Sequence, residues 1–262
     1  NCLNDLLGLL FATPGRKPSF IARASVFGVH PIADKFLRSI GLLPAFRLDY
    51  DGAESLSENT STFKVSEQAL IDGQTVVIYP EAGHQDKRWL GNFSMGYLKL
   101  AFEAAELANF EKDIAIMPTC NHYSHYFGIQ NEYMVKYGEK ISLKPFCELY
   151  KTKPRTAQRQ VNALVRKQIE DLMLDIRDVE NYDAVDFIRL NWGAEVAGRM
   201  GLDTNASPDR LLAEKEIVAA IQTAQIETPE EVDALYADAR ELKYLLEKAG
   251  FTLKELDLTT TP

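Results

Sequence analysis

The stretch Thr75-Val76-Val77-Ile78-Tyr79 constrains this chain most. It is short, apolar and β-branched, it is entered through Asp72-Gly73, and it stops at Pro80-Glu81-Ala82-Gly83. Such a run predicts a buried strand followed by a forced turn. His84, Asp86, Lys87 and Arg88 come next. Ser94 is then placed to cap a helix whose apolar positions Leu98, Ala101, Phe102 and Ala105 keep helical spacing. A carboxylate, a turn and two cations thus gather at the carboxyl end of a strand, where open α/β sheets bind ligands.

The flanking chain repeats this grammar. Residues 1–12 read as a helix, with Asn4-Asp5 ahead of an apolar face and Thr13-Pro14-Gly15 as its stop. Pro18 to Arg23 and Leu43 to Arg47 read as strands, and Ile32 to Ile40 as an amphipathic helix after Pro31. His30 and Asp34, four apart, read as local structure of that helix. A helix from Thr60 or Ser61 to about Leu70 closes a βαβ unit onto the Thr75 strand. Asp113 to Thr119 reads as a further buried strand, and Tyr133–Tyr137 with Lys140–Lys144 as a hairpin around Gly138 at a sheet edge.

From Pro154 the period becomes helical. Val161, Leu164, Val165, Ile169, Leu172 and Ile176 mark one long amphipathic helix. Ser207-Pro208 and Thr228-Pro229-Glu230-Glu231 signal two more, the latter as a capping box, and the last helix ends at Gly250. The expected fold class is α/β: a mixed, largely parallel sheet flanked by helices over residues 1–150, with a C-terminal helical appendage over 151–262.

The net charge of −9 excludes a nucleic-acid binder as a reading of the whole chain, although a local phosphate site needs only a few cations. Cys2, Cys120 and Cys147 are widely spaced, which argues for a reducing compartment and against a metal site. No apolar run approaches the roughly 18–20 residues of a spanning helix. The chain begins at Asn1 rather than Met, which suggests a piece of a longer protein.

Four blocks, in order, resemble the glycerolphosphate and lysophosphatidate (1-acylglycerol-3-phosphate) acyltransferase superfamily. Asn1-Cys2-Leu3-Asn4-Asp5 is similar to the tail of the block in which a His precedes an Asp at a helix start. Gly41-Leu42-Leu43-Pro44, leading to Arg47, resembles the second block, and Tyr79-Pro80-Glu81-Ala82-Gly83 the Phe-Pro-Glu-Gly block. Asp113 to Thr119, with Pro118, resembles the fourth. The likeness covers about residues 1–145. It departs from the pattern twice: Ala82 stands where the family has Gly, and the family's His falls two positions before Asn1.

The resemblance implies transfer of a fatty acyl group from an acyl thioester donor, acyl-CoA or acyl carrier protein, to a hydroxyl of a glycerol-phosphate or lysophospholipid acceptor. It implies no metal and no further cofactor. It assigns Asp5 as the partner of the catalytic His. It assigns Arg47 as the phosphate clamp, a task suited to the planar guanidinium fork, and Arg23, Lys87 and Arg88 as further phosphate ligands. It makes Glu81 and Gly83 organisers of the acceptor site. A lipid acceptor implies a membrane surface, with the protein on the cytoplasmic side, peripheral or anchored by a segment outside this chain. His84 reads as a polar loop residue or a phosphate donor. Asn121, His122, Tyr123 and His125 lie just beyond the fourth block, near the pocket. Two rivals remain. Ser94-Met95-Gly96 has half of a hydrolase nucleophile elbow, with Asn92 in place of the Gly such an elbow wants. A degenerate acyltransferase domain that only binds lipid or a partner is the other.

Overall fold

A computed structural model describes residues 3–13, 15, 18–45, 56–81, 87–124, 132–253 and 255–256. The chain forms two compact units. One comprises residues 1–85, 90–122 and 135–172, the other 86–89, 123–134 and 173–262.

The first unit is built on three parallel strands. β1 (Ser19–Arg23) is central, with β2 (Leu42–Ala45) on one side and β3 (Val76–Val77) on the other. Phe20 is almost wholly buried, and its N–H donates to the Gly41 carbonyl at 2.8 Å. Gly41 sits at φ +90°, and a Cβ there would lie 2.7 Å from the Pro18 carbonyl oxygen. Only glycine suits a left-handed residue whose backbone approaches the next strand so closely. Leu6 and Leu9 of α1 (Leu3–Ala12) join Phe20 and Leu42 in one apolar cluster. α2 (Pro31–Ser39) leads into β2. His30 caps α2, its Nδ1 accepting from the Ile32 N–H at 3.2 Å, while Asp34 accepts from the Gly28 N–H at 2.9 Å. Both side chains serve local structure, as the sequence suggests.

α3 (Leu56–Ile71) packs on α4 (Gly96–Leu107). Leu98, Leu100, Phe102 and Ala104 of α4 are fully buried, and Phe102 stacks on Tyr150 with ring centroids 4.3 Å apart. Around them gather Ile114, Ile141, Leu143 and, after the short α5 (Cys147–Thr152), Ala157, Val161 and Val165 of α6 (Pro154–Leu172). Burial pushes the Tyr97 phenol up, and its hydroxyl hydrogen-bonds Asn162 at 2.8 Å.

Several sequence expectations are corrected. The Thr75–Tyr79 run gives a two-residue, half-buried strand, because β3 is an edge of the sheet. Asp113–Thr119 is two strands, β4 (Ala115–Ile116) and β5 (Thr119–Tyr123), parted at Met117-Pro118. Proline has no N–H with which to continue a ladder. Accordingly β6 (Tyr133–Tyr137) and β7 (Ile141–Ser142) do not pair with each other: β6 pairs with β5, and β7 runs antiparallel to β4. Ser94 is one position short of the cap of α4, which is Met95, and only accepts from the Gly96 N–H at 3.4 Å.

The second unit holds α7 (Tyr182–Arg199), α8 (Ser207–Glu227) and α9 (Pro229–Ala249). The sequence signals α8 and α9 but not α7, whose buried face includes Arg189 and Gly193 and so hides the apolar period. Ile188, Leu211, Val218, Val232 and Tyr236 share one core. The capping box at Thr228 does not form: Thr228 makes no side-chain cap bond, and its hydroxyl donates back to the Ala224 carbonyl at 3.4 Å. α8 and α9 abut at this residue, so the hydroxyl finds the end of α8 first.

Arg189 is the largest fully buried side chain among the described residues. It donates to Glu214 Oε2 at 2.9 Å and, through Nη2, to Asp186 Oδ1 at 2.6 Å. Gly193 makes room for Glu214, whose Cγ would lie 3.1 Å from an added Cβ. A buried ion of this kind is costly to orphan. Arg189→Met or Glu214→Leu alone is expected to cost about 3–5 kcal/mol, and the double variant much less than the sum of the two. Urea unfolding followed by circular dichroism reads this cycle.

Candidate active site

Because β1, β2 and β3 are parallel, their carboxyl ends lie at one end of the sheet. Arg23, the last residue of β1, is the register partner of Ala45, and the chain runs on from Ala45 to Phe46-Arg47. β3 runs on through Tyr79-Pro80 to Glu81. Arg47, Gly83, His84 and His125 lie outside the described residues, as does the Arg23 side chain.

Asp5 stands in the first turn of α1 and is only 6% exposed. A carboxylate in this position is favoured by the helix dipole and disfavoured by burial. Asn121 of β5 answers the burial, its Nδ2 donating to Asp5 Oδ1 at 3.1 Å. Asp5 is thereby held from a strand 116 positions away. His122, the next residue, is also buried.

Glu81 is exposed, and its Oε1 accepts from the Gly91 N–H at 2.5 Å. The Gly91 carbonyl accepts from Arg166 Nη1 at 2.6 Å, and the Arg166 guanidinium also lies 4.9 Å from the centroid of the Phe93 ring. The Ser94 N–H donates to the Pro80 carbonyl at 2.8 Å. The segment from Glu81 to Ser94 is therefore closed at its base by main-chain and carboxylate bonds. Arg166 lies on α6, in its carboxyl-terminal half. Its grip on Gly91, 75 positions away, leaves no local signal.

Lys87 and Arg88 belong to the second unit. Arg88 is 3% exposed. Its Nη2 donates to the carbonyls of Tyr123 and Ser124 at 2.8 and 3.2 Å, and its Nε is 3.6 Å from Asp186 Oδ1. Its main chain is also engaged, the N–H by the Tyr182 hydroxyl at 3.0 Å and the carbonyl by the Ile176 N–H at 2.6 Å. Lys87 reaches Asp183 at 3.4 Å and lies 4.0 Å from the centroid of the Tyr182 ring. In this arrangement protein groups answer both charges. Among the described residues, no three His, Cys, Asp or Glu gather as metal ligands would.

Residues 4–122 match the acyltransferase family model. The matched stretch takes in Asp5 and Asn121, all three parallel strands and the Glu81 block. The chain thus carries an acyltransferase-type domain over residues 4–122. Neither curated proteins nor solved structures include a match to the chain. Asn121→Leu, which removes the donor facing a buried carboxylate, is expected to cost about 1–3 kcal/mol of stability by thermal unfolding. Asn121→Asp, which sets a second acid against Asp5, is expected to cost more at pH 8 than at pH 4.

Proposed function

We propose that this acyltransferase moves a fatty acyl group from a thioester, acyl-CoA or acyl carrier protein, to a hydroxyl of a glycerol-phosphate-type acceptor. The observation that carries the reading is the buried Asp5 carboxylate, fixed by Asn121 at the start of α1. A carboxylate held in this way suits the task of setting the tautomer and orientation of an imidazole. In this reading the imidazole is the histidine that the family pattern sets two positions before Asn1.

The imidazole takes the proton from the acceptor hydroxyl. The oxygen forms a C–O bond to the thioester carbonyl, the C–S bond breaks, and the leaving sulfur takes the proton back from the imidazolium and departs as free thiol. Asp5 stabilises the imidazolium between these steps. Arg47 clamps the acceptor phosphate, with Arg23 as a second ligand, since both follow from the carboxyl ends of adjacent parallel strands. The Glu81–Gly83 turn sets the acceptor hydroxyls. Lys87 and Arg88 stay in this reading as residues of the same sequence block. No helix among the described residues is long and apolar enough to cross a membrane.

Release of free thiol from palmitoyl-CoA, with and without glycerol 3-phosphate or lysophosphatidate, tests the proposal on protein that carries the residues upstream of Asn1. Acceptor-dependent release is expected, with kcat lower by on the order of 10³–10⁴ in Asp5→Asn. In Arg47→Ala the acceptor KM is expected to rise roughly tenfold or more. Acceptor-independent release that survives Asp5→Asn and is lost in Ser94→Ala would point to a hydrolase. Absence of release from any donor would leave the domain a binder of lipid.

A further inference from the structure

α2 is more amphipathic than its packing requires. Ile32, Ala33, Phe36 and Leu37 form one apolar arc at helical spacing. Of these, Leu37 packs on the cluster of Leu6, Leu9, Phe20 and Leu42. Ile32 and Phe36, one turn apart, are 75% and 61% exposed, and no residue of α2 is buried. In the turn before the helix, Val29 is 79% exposed and Val26 47%. Four apolar side chains within eleven consecutive residues thus face solvent.

Within Ala24–Ser39 the charged residues are the cations Lys35 and Arg38 and the single acid Asp34, a net of +1 inside a chain of net −9. Asp34 is turned back on the main chain, both of its oxygens accepting from the Gly28 N–H at 2.9 Å. Lys35 and Arg38 remain exposed on the polar side of the helix, Arg38 with its guanidinium 5.3 Å from the centroid of the Phe27 ring.

We propose that the Ala24–Ser39 segment docks on an anionic lipid surface, with Val26, Val29, Ile32 and Phe36 entering the acyl boundary and Lys35 and Arg38 facing the headgroups. An interfacial helix combines this apolar face, these flanking cations and a low overall hydrophobicity. The chemistry selects lipid over a second copy of the chain, since two copies meeting at this face would set the exposed Lys35 and Arg38 of one against those of the other. The acidic remainder of the chain is repelled by an anionic bilayer and so turns this face toward it. The biological sense of the docking rests on the proposed lipid acceptor, but vesicle binding is read without any acyl donor, so the two proposals fail separately.

The test is co-sedimentation of the full chain with vesicles of phosphatidylcholine alone or with about a third phosphatidylglycerol. Binding to the anionic vesicles is expected, weaker at high salt. It should fall about tenfold or more in Ile32→Ser/Phe36→Ser, and to a similar extent in Lys35→Gln/Arg38→Gln at low salt. Both variants change exposed side chains, and circular dichroism with an unchanged Tm verifies their folding. In protein that carries the residues upstream of Asn1, their rates with a short-chain, water-soluble thioester and glycerol 3-phosphate should equal wild type, while rates on vesicle-borne acceptor fall. Equal binding by wild type and both variants overturns the proposal. So does an absence of binding to the anionic vesicles, in which case a dimer in light scattering that Ile32→Ser/Phe36→Ser dissociates would assign the face to a second copy of the chain.

Discussion

The first unit depends on the central position of β1. One five-residue strand carries the register of both neighbours, through the pairs Phe20–Leu42 and Phe20–Val77. Parallel pairing is the constraint that matters for function. It gives all three strands one polarity, so the loops that leave them share one end of the sheet whatever their sequences. Gly41 makes the pairing of β1 with β2 possible by bringing main chain against main chain at the Pro18 carbonyl.

How much of this was legible in the sequence follows from the range of each interaction. α2 and the close of α9 at Gly250 rest on neighbours within a few residues, and the pattern locates them. Ser94 and Thr228 are cap residues by type, but the first lies one position early and the second meets the end of α8. The Asp113–Thr119 run reads as one strand by composition, and only the partners of β4 and β5 show that Pro118 divides it. α7 escaped because the face it buries carries an arginine and a glycine.

The candidate site divides in the same way. Residue type and motif order single out Asp5 and Glu81, and the family match includes both. What holds them does not appear in the motifs. Asn121 reaches Asp5 across 116 positions, and Arg166 grips Gly91 across 75. Arg88 has the charge of a phosphate ligand, yet its carbonyl and carboxylate partners lie 35 and more positions downstream. A charged residue in a loop advertises its charge in the sequence, while the groups that answer the charge are a property of the fold.

The membership of residues 86–89 in the second unit has a consequence for synthesis. Arg88 lies inside the family-matched stretch, yet the Tyr182 hydroxyl that receives its N–H is 94 positions later. At roughly 5–20 residues per second a ribosome makes that length in about 5–19 s. Through that interval β1, β2 and β3 are already made, while Lys87 and Arg88 wait for Tyr182, Asp183 and Asp186. Chain made later completes a segment made early, so a product truncated before Tyr182 still encodes Lys87 and Arg88 but lacks the carboxylates that answer their charges.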